Sequence, residues 1–203
     1  MALGKILPKD EVILGLEIRC KVTEYVRLRI ANARKQPGEY ENCSVLRSNS
    51  MKLLPNFFDG ASLNKLFFCF PDPHFKKKNH PVGKASKRSL FSHHFVTQRR
   101  IISESLLSEY AFLLKPGSGR LYCITDVKEL HEWHVEKCDA HPMFRAVADC
   151  ESDPCVQAMI NETEEGKKVA RNKGDKYYAV YQRIDDSEIP GATWCNNSTR
   201  QKL

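Results

Sequence analysis

A chain of 203 residues with 41% hydrophobic side chains can bury one substantial core, which excludes global disorder and makes a single domain with tails the expected organisation. Its 32 Lys and Arg against 25 Asp and Glu leave a net charge of +7, an excess that favours an anionic partner. No window reaches the roughly 18 to 20 apolar residues that would span a membrane, and the N-terminus lacks a signal-peptide pattern. The eight cysteines form no C-x-x-C pair, which argues against zinc-ribbon and thioredoxin-like readings and for a reducing compartment.

Strands and helices alternate along the chain. Residues 11–18 read as a strand. Residues 21–35 carry Val22, Val26, Ile30 and Ala33 at helical spacing, and Gln36-Pro37-Gly38 stops that helix. Residues 43–47 read as a second strand, and residues 63–70 as a third, apolar on both faces as a central parallel strand requires. Ser103 is expected to cap a helix whose Leu106, Leu107, Tyr110 and Leu114 face inward, ended by Lys115-Pro116-Gly117. Residues 121–125 form a fourth strand. A helix over 128–138 carries Leu130, Trp133 and His134, the last two read as core rather than ligands. Thr163 has the chemistry of an N-cap for a helix over 164–171 with an acidic first turn, and residues 177–184 read as a last strand. This order implies a mostly parallel sheet with covering helices.

The chemistry concentrates after the third strand, in Phe70-Pro71-Asp72-Pro73-His74-Phe75-Lys76-Lys77-Lys78-Asn79. Pro71 and Pro73 cannot donate ladder hydrogen bonds, so the strand must end near Phe70. Asp72 is thereby fixed between two rigid residues at the carboxyl end of a strand, the edge of open α/β sheets where ligands bind. Three consecutive lysines follow, suited to phosphate. A rigidly presented carboxylate beside a phosphate-attracting run points to an enzyme acting on nucleic acid. His74, His80, His93 and His94 lack the spacing of a metal site, so no metal is expected.

The Phe-Pro-Asp-Pro-His loop resembles the signature loop of the tRNA (guanine-N7-)-methyltransferase family. Four other segments resemble that family in its order: Ile13-Leu14-Gly15-Leu16-Glu17-Ile18-Arg19, Leu46-Arg47-Ser48-Asn49-Ser50-Met51, Leu53-Leu54-Pro55-Asn56-Phe57-Phe58 and Thr163-Glu164-Glu165-Gly166-Lys167-Lys168. Gly-Leu-Glu-Ile-Arg and the Lys-rich continuation bring the eukaryotic branch closest. The resemblance implies a Rossmann-like class I methyltransferase, mostly parallel with helices on both faces and the last strand antiparallel, over residues 1–184 with a tail over 185–203. It implies S-adenosylmethionine as cofactor and N7 of a guanosine in tRNA as methyl acceptor. It places Glu17 and Arg19 at the cofactor's ribose side, Asn49 and Ser50 at the adenine, and Cys69 where the family usually has a leucine against the adenosine. Thr163 and Glu165 match the late helix start that closes over the site. Lys76, Lys77, Lys78, Arg99 and Arg100 would contact tRNA phosphates, and Asp72 would hold the guanine N–H edge. Guanine N7 carries an available lone pair, so methylation requires positioning rather than a strong base. A WD-repeat β-propeller subunit and a nuclear location are implied in the same way.

Two departures stand out. The family's Gly-rich turn, which holds the methionine end of the cofactor, has no counterpart here, and the first strand is expected to be missing from between residues 11–18 and 63–70. About 18 extra residues, 81–98, interrupt the Lys-rich segment before Arg99 and Arg100. A catalytically impaired fragment that still binds tRNA or the propeller stays open as the alternative.

Overall fold

The computed structural model describes residues 2–73 and 100–189. In chain order these form α1 (Leu3–Ile6), β1 (Ile13–Glu17), α2 (Cys20–Ala33), β2 (Cys43–Arg47), α3 (Ser50–Leu53), β3 (Lys65–Cys69), α4 (Glu104–Leu113) and β4 (Arg120–Thr125). There follow α5 (Lys128–Asp139), β5 (Phe144–Ala146), α6 (Pro154–Glu162), α7 (Glu164–Arg171) and β6 (Tyr177–Arg183).

The strands form two sheets. β1 and β2 pair in parallel, with Ile13 opposite Cys43 and Glu17 opposite Arg47. The second sheet has the order β3-β4-β6-β5, in which β6 runs antiparallel to both β4 and β5 and is the only strand opposed to the others. The result is a mixed α/β sheet with the last strand inserted antiparallel. Among the described residues no ladder joins β1 to β3. Side chains tie the two sheets instead. Glu11 accepts from Asn64 Nδ2 at 3.3 Å and lies 3.4 Å from Lys65 Nζ, while Leu16 and Met51 pack against the main core.

β4 is apolar on both faces because each face is covered. Successive strand side chains point to opposite sides. Leu121 and Cys123 therefore enter a cluster with Leu106, Leu107, Tyr110 and Leu113 of α4, whereas Tyr122 and Ile124 enter another with Cys155, Val156 and Met159 of α6. Leu3 and Leu7 close the second cluster from the α1 side. Each fully buried leucine of this kind stabilises the fold by about 1.5–3 kcal/mol. Trp133 is partly covered and His134 buried, as expected of core positions.

Four elements were not foreseen: the short helices α1 and α3, and β5 and α6. β5 is a three-residue strand held by β6, and α6 starts at Pro154 with Asp153 as N-cap, its carboxylate accepting from Cys155 N at 2.8 Å. Ser103 does stand at the N-cap position of α4, but its hydroxyl makes no capping bond and sits 3.4 Å from Ser105 Oγ. Beyond β6 the chain makes a 3-10 turn over Asp186–Glu188, closed by a capping box from Asp185, and Glu188 pairs with Arg145 at 2.6 Å. Among the described residues no helix is long and apolar enough to cross a membrane.

Candidate functional site

The carboxyl ends of β1, β2 and β3 lie at one end of the molecule, and the residues singled out from the sequence fall there. Glu17 closes β1. Both of its carboxylate oxygens accept from Arg19, Oε1 from the backbone N–H at 2.8 Å and from Nε at 3.1 Å, Oε2 from Nη2 at 3.0 Å. The Arg19 guanidinium holds the Glu17 carboxyl below the usual carboxylate range, so it stays ionised at neutral pH. A carboxylate has about four acceptor positions, three of which Arg19 occupies, so one hydroxyl can still bond to it, at Oε2. The backbone carbonyl of Glu17 accepts from Ser48 N at 3.0 Å, which sets the turn after β2 directly beside it. In that turn Asn49 caps α3, its Oδ1 accepting from Met51 N at 3.1 Å, and Ser50 opens the helix.

β3 ends on the same side. Cys69, opposite Ile124, is exposed at the strand end. The next residue, Phe70, has φ of 51°, a left-handed conformation that costs a bulky residue about 1–3 kcal/mol. Its N–H donates to the Ile124 carbonyl at 2.8 Å, and its ring packs against the second cluster, which together impose the turn. The chain is thus turned out of the sheet before Pro71, and Asp72 stands exposed between two half-buried prolines.

α7 approaches from the other side. The Thr163 hydroxyl accepts from Gly166 N at 3.1 Å and donates to the Met159 carbonyl at 2.9 Å, clamping the start of α7 onto the end of α6. Glu164 pairs with Arg29 of α2 at 3.3 Å, and Glu165, paired with Lys168 at 2.9 Å, lies near enough to Arg19 for its charge to be felt there. The structure therefore brings Glu17, Arg19, Asn49, Ser50 and Glu165 around the end of β1, with Cys69 and Asp72 on the neighbouring sheet at the same end. Arg29 was missed, because its partner is 135 residues away and no local pattern marks it.

Arg100 requires a correction. Read from the sequence as a phosphate contact, it is 8% exposed, and its guanidinium carbon lies 4.2 Å from the centroid of the Trp133 ring. A guanidinium stacked on an indole is attracted by the ring quadrupole and withdrawn from solvent. Lys76, Lys77, Lys78 and Arg99 lie outside the described residues, as does His74.

A cavity of about 810 Å³ opens elsewhere, at the amino ends of β3 and β4, lined by Glu11, Lys65, Arg120, Tyr122 and Asp153. Most of its charges are paired with one another: Lys65 with Glu11, and Arg120 and Tyr122 with Asp153 at 3.2 and 2.9 Å. The carboxyl-end constellation is the better candidate, because its ionised Glu17 and presented Asp72 are aimed away from the core.

Comparison with known proteins places the chain in a family. The family model described as "Putative methyltransferase" matches residues 1–179. The chain is 49% identical over 193 residues to a tRNA (guanine-N(7)-)-methyltransferase of Yarrowia lipolytica, covering 93% of this chain and 60% of that protein. It is 48% identical over 191 residues to the protein of the same name from Podospora anserina, covering 92% of this chain and 61% of that one. The chain thus spans about 60% of the length of these relatives. A crystal structure of a methyltransferase homologue from Pyrococcus horikoshii shares the fold, with a TM-score of 0.53 at 14% identity over 90% of this chain and 56% of that one. With the match running through both sheets and every element around the ends of β1 and β3, the chain belongs to this methyltransferase family.

Proposed function

We propose that this chain takes part in transferring a methyl group from S-adenosylmethionine to N7 of a guanosine in tRNA. The observation that carries the reading is Asp72, held at the carboxyl end of β3 by the Phe70 turn and two prolines, on the same end as the ionised Glu17. The names of the relatives supply the substrate class.

The residues present fit the nucleoside side of the cofactor. Glu17 offers its remaining acceptor to a ribose hydroxyl, Asn49 and Ser50 flank the adenine from the end of β2, and Cys69 gives a small apolar contact. When bound, the cofactor supplies an electrophilic methyl on a sulfonium. The chain's own part is positional. Asp72 accepts from the guanine N–H edge and orients the base, and Glu165 and Thr163 close the ribose side. Lys76, Lys77, Lys78 and Arg99 neutralise tRNA phosphates, and the target base leaves its stack to reach Asp72. A β-propeller subunit joins the chain, and the complex works in the nucleus; the seven free cysteines described suit a reducing compartment.

The test is methyl transfer from labelled cofactor to a tRNA transcript, with and without a propeller subunit, followed by mapping of N7-methylguanosine. Label at one guanosine supports the reading. No incorporation under either condition, or label on another atom, overturns it.

A further inference from the structure

The residues assigned to the nucleoside come from two separate parts of the fold. Glu17, Asn49 and Ser50 belong to the β1–α2–β2 unit, whereas Thr163 and Glu165 stand at the start of α7. Among the described residues one side-chain ion pair ties that unit to α7, Arg29 Nη1 to Glu164 Oε1 at 3.3 Å. It joins the third turn of α2 to the first turn of α7.

Arg29 is prepared for this contact. Its guanidinium carbon lies 5.6 Å from the centroid of the Tyr25 ring, which is one turn earlier on the same face of α2. A side chain already stacked on a ring has less rotamer freedom left to lose when it pairs. The stack also gives a role to Tyr25, which is otherwise an exposed aromatic residue. The rest of the α7 start is oriented by its neighbours. Thr163 is tied back to the Met159 carbonyl at 2.9 Å, and Glu165 lies near enough to Arg19 for its charge to be felt there. Lys168, paired with Glu165 at 2.9 Å, feels the charge of Asp126 just beyond β4. Arg29 thus supplies the direct link from α2 to a segment whose next residue faces the Glu17–Arg19 pair.

We infer that Arg29 is a positioning residue for the cofactor site: through Glu164 it draws the start of α7 onto α2 and sets Glu165 opposite the ribose side held by Glu17. The inference rests on the functional reading above. Arg29 touches no ligand. It acts by holding two ligand-bearing parts in register, so its effect is electrostatic and sensitive to salt.

The test is calorimetric titration of the whole chain with S-adenosylhomocysteine, which carries no net charge, so that salt acts on the protein's pair rather than on the ligand. Arg29→Glu and Glu164→Arg are measured alone and together. An exposed pair contributes up to about fivefold, and reversal adds repulsion, so each single variant should bind about five- to tenfold more weakly. The double variant restores the pair in reverse and should return to within about twofold of wild type. Raising salt to about 0.5 M should remove most of the difference. A cation at the α7 N-terminus opposes the helix dipole, so the cycle is repeated with Arg29→Ala and Glu164→Gln, whose double variant should lose no more than either single. In the ligand-free chain, amide exchange across the first turn of α7 should accelerate in every single variant, a readout independent of binding. Binding indifferent to both substitutions, additive losses in both cycles, or unchanged exchange overturns the inference alone. A wild-type chain that binds no S-adenosylhomocysteine overturns the functional reading, and the inference falls with it.

Discussion

Replacing Gly166 by alanine should destabilise the protein, although the same change in an ordinary helix interior is worth about 1 kcal/mol in the other direction. Gly166 is the third residue of α7 and is buried. A Cβ built there would lie 2.6 Å from Thr163 Oγ1 and 2.7 Å from the Ile160 carbonyl oxygen. The second contact is with backbone, so it cannot be relieved by a rotamer change. Overpacking costs about 1–3 kcal/mol, and displacing the Thr163 hydroxyl removes a cap worth about 1 kcal/mol more. Set against the propensity gain, the net loss is about 1–3 kcal/mol. For a domain of this size that lowers Tm by about 2–12 °C. Urea and thermal melts followed by circular dichroism measure it. Thr163→Ala in the same background removes the 2.6 Å contact but not the 2.7 Å one, so the double variant should recover about 1 kcal/mol relative to additivity. A Gly166→Ala protein as stable as wild type, or more so, would refute the reasoning.

Three further outcomes are expected. Asp72→Ala should abolish most methyl transfer at saturating tRNA and cofactor while leaving the melting curve in place; wild-type turnover would remove Asp72 from the site. Replacing Lys76, Lys77 and Lys78 together should flatten the dependence of log K on log salt by about 0.7 to 0.9 for each phosphate no longer neutralised, and an unchanged slope would make the run an ordinary solvated face. His134 is 1% exposed, and among the described residues neither ring nitrogen has a hydrogen-bond partner. Burial lowers its pKa from 6.5 to about 4, so the unfolded chain binds more protons between those values. Stability should therefore be intact above pH 6.5 and fall as the pH drops toward 4, by up to about 3 kcal/mol. His134→Leu should flatten that limb without cost at pH 7, and an identical acid profile in the variant would refute the assignment.

The sequence was most legible where local chemistry decides structure. Thr163 followed by two glutamates announces a helix start, and α7 begins at Glu164. The apolar run 65–69 terminated by prolines announces both β3 and the placement of Asp72. It was least legible where distant partners decide. β5 spans three residues and exists because β6 offers it a ladder. α6 did carry its signal, Asp153 before Pro154 at the first helical turn and Val156, Met159 and Ile160 at helical spacing behind it, and it was overlooked. Arg100 looked like the end of a basic run because its charge is local information, whereas Trp133, which withdraws it from solvent, stands far along the chain in α5. Around the site, Glu17 and Asn49 were recoverable as strand-end residues, while the Arg29–Glu164 bridge was not.

The β1–α2–β2 unit has thin support. α2 buries Ile30 alone, β1 has no fully buried residue, and the unit is joined to the main sheet by side chains rather than by a ladder. Few buried apolar contacts mean a low free energy of local opening, so among the described elements this unit should be the first to exchange its amide hydrogens. It also carries Glu17, Arg19, Asn49 and Ser50. Any ligand bound by those residues is consequently linked to the folding of the unit that holds them, stabilising it by RT ln(1 + [L]/Kd). Occupancy at the ribose side would then be read as slowed exchange across β1 and β2, with the β3–β4–β6–β5 sheet unaffected. Part of the binding free energy goes into ordering the unit, so a substitution that rigidifies α2 should tighten binding without touching the ligand.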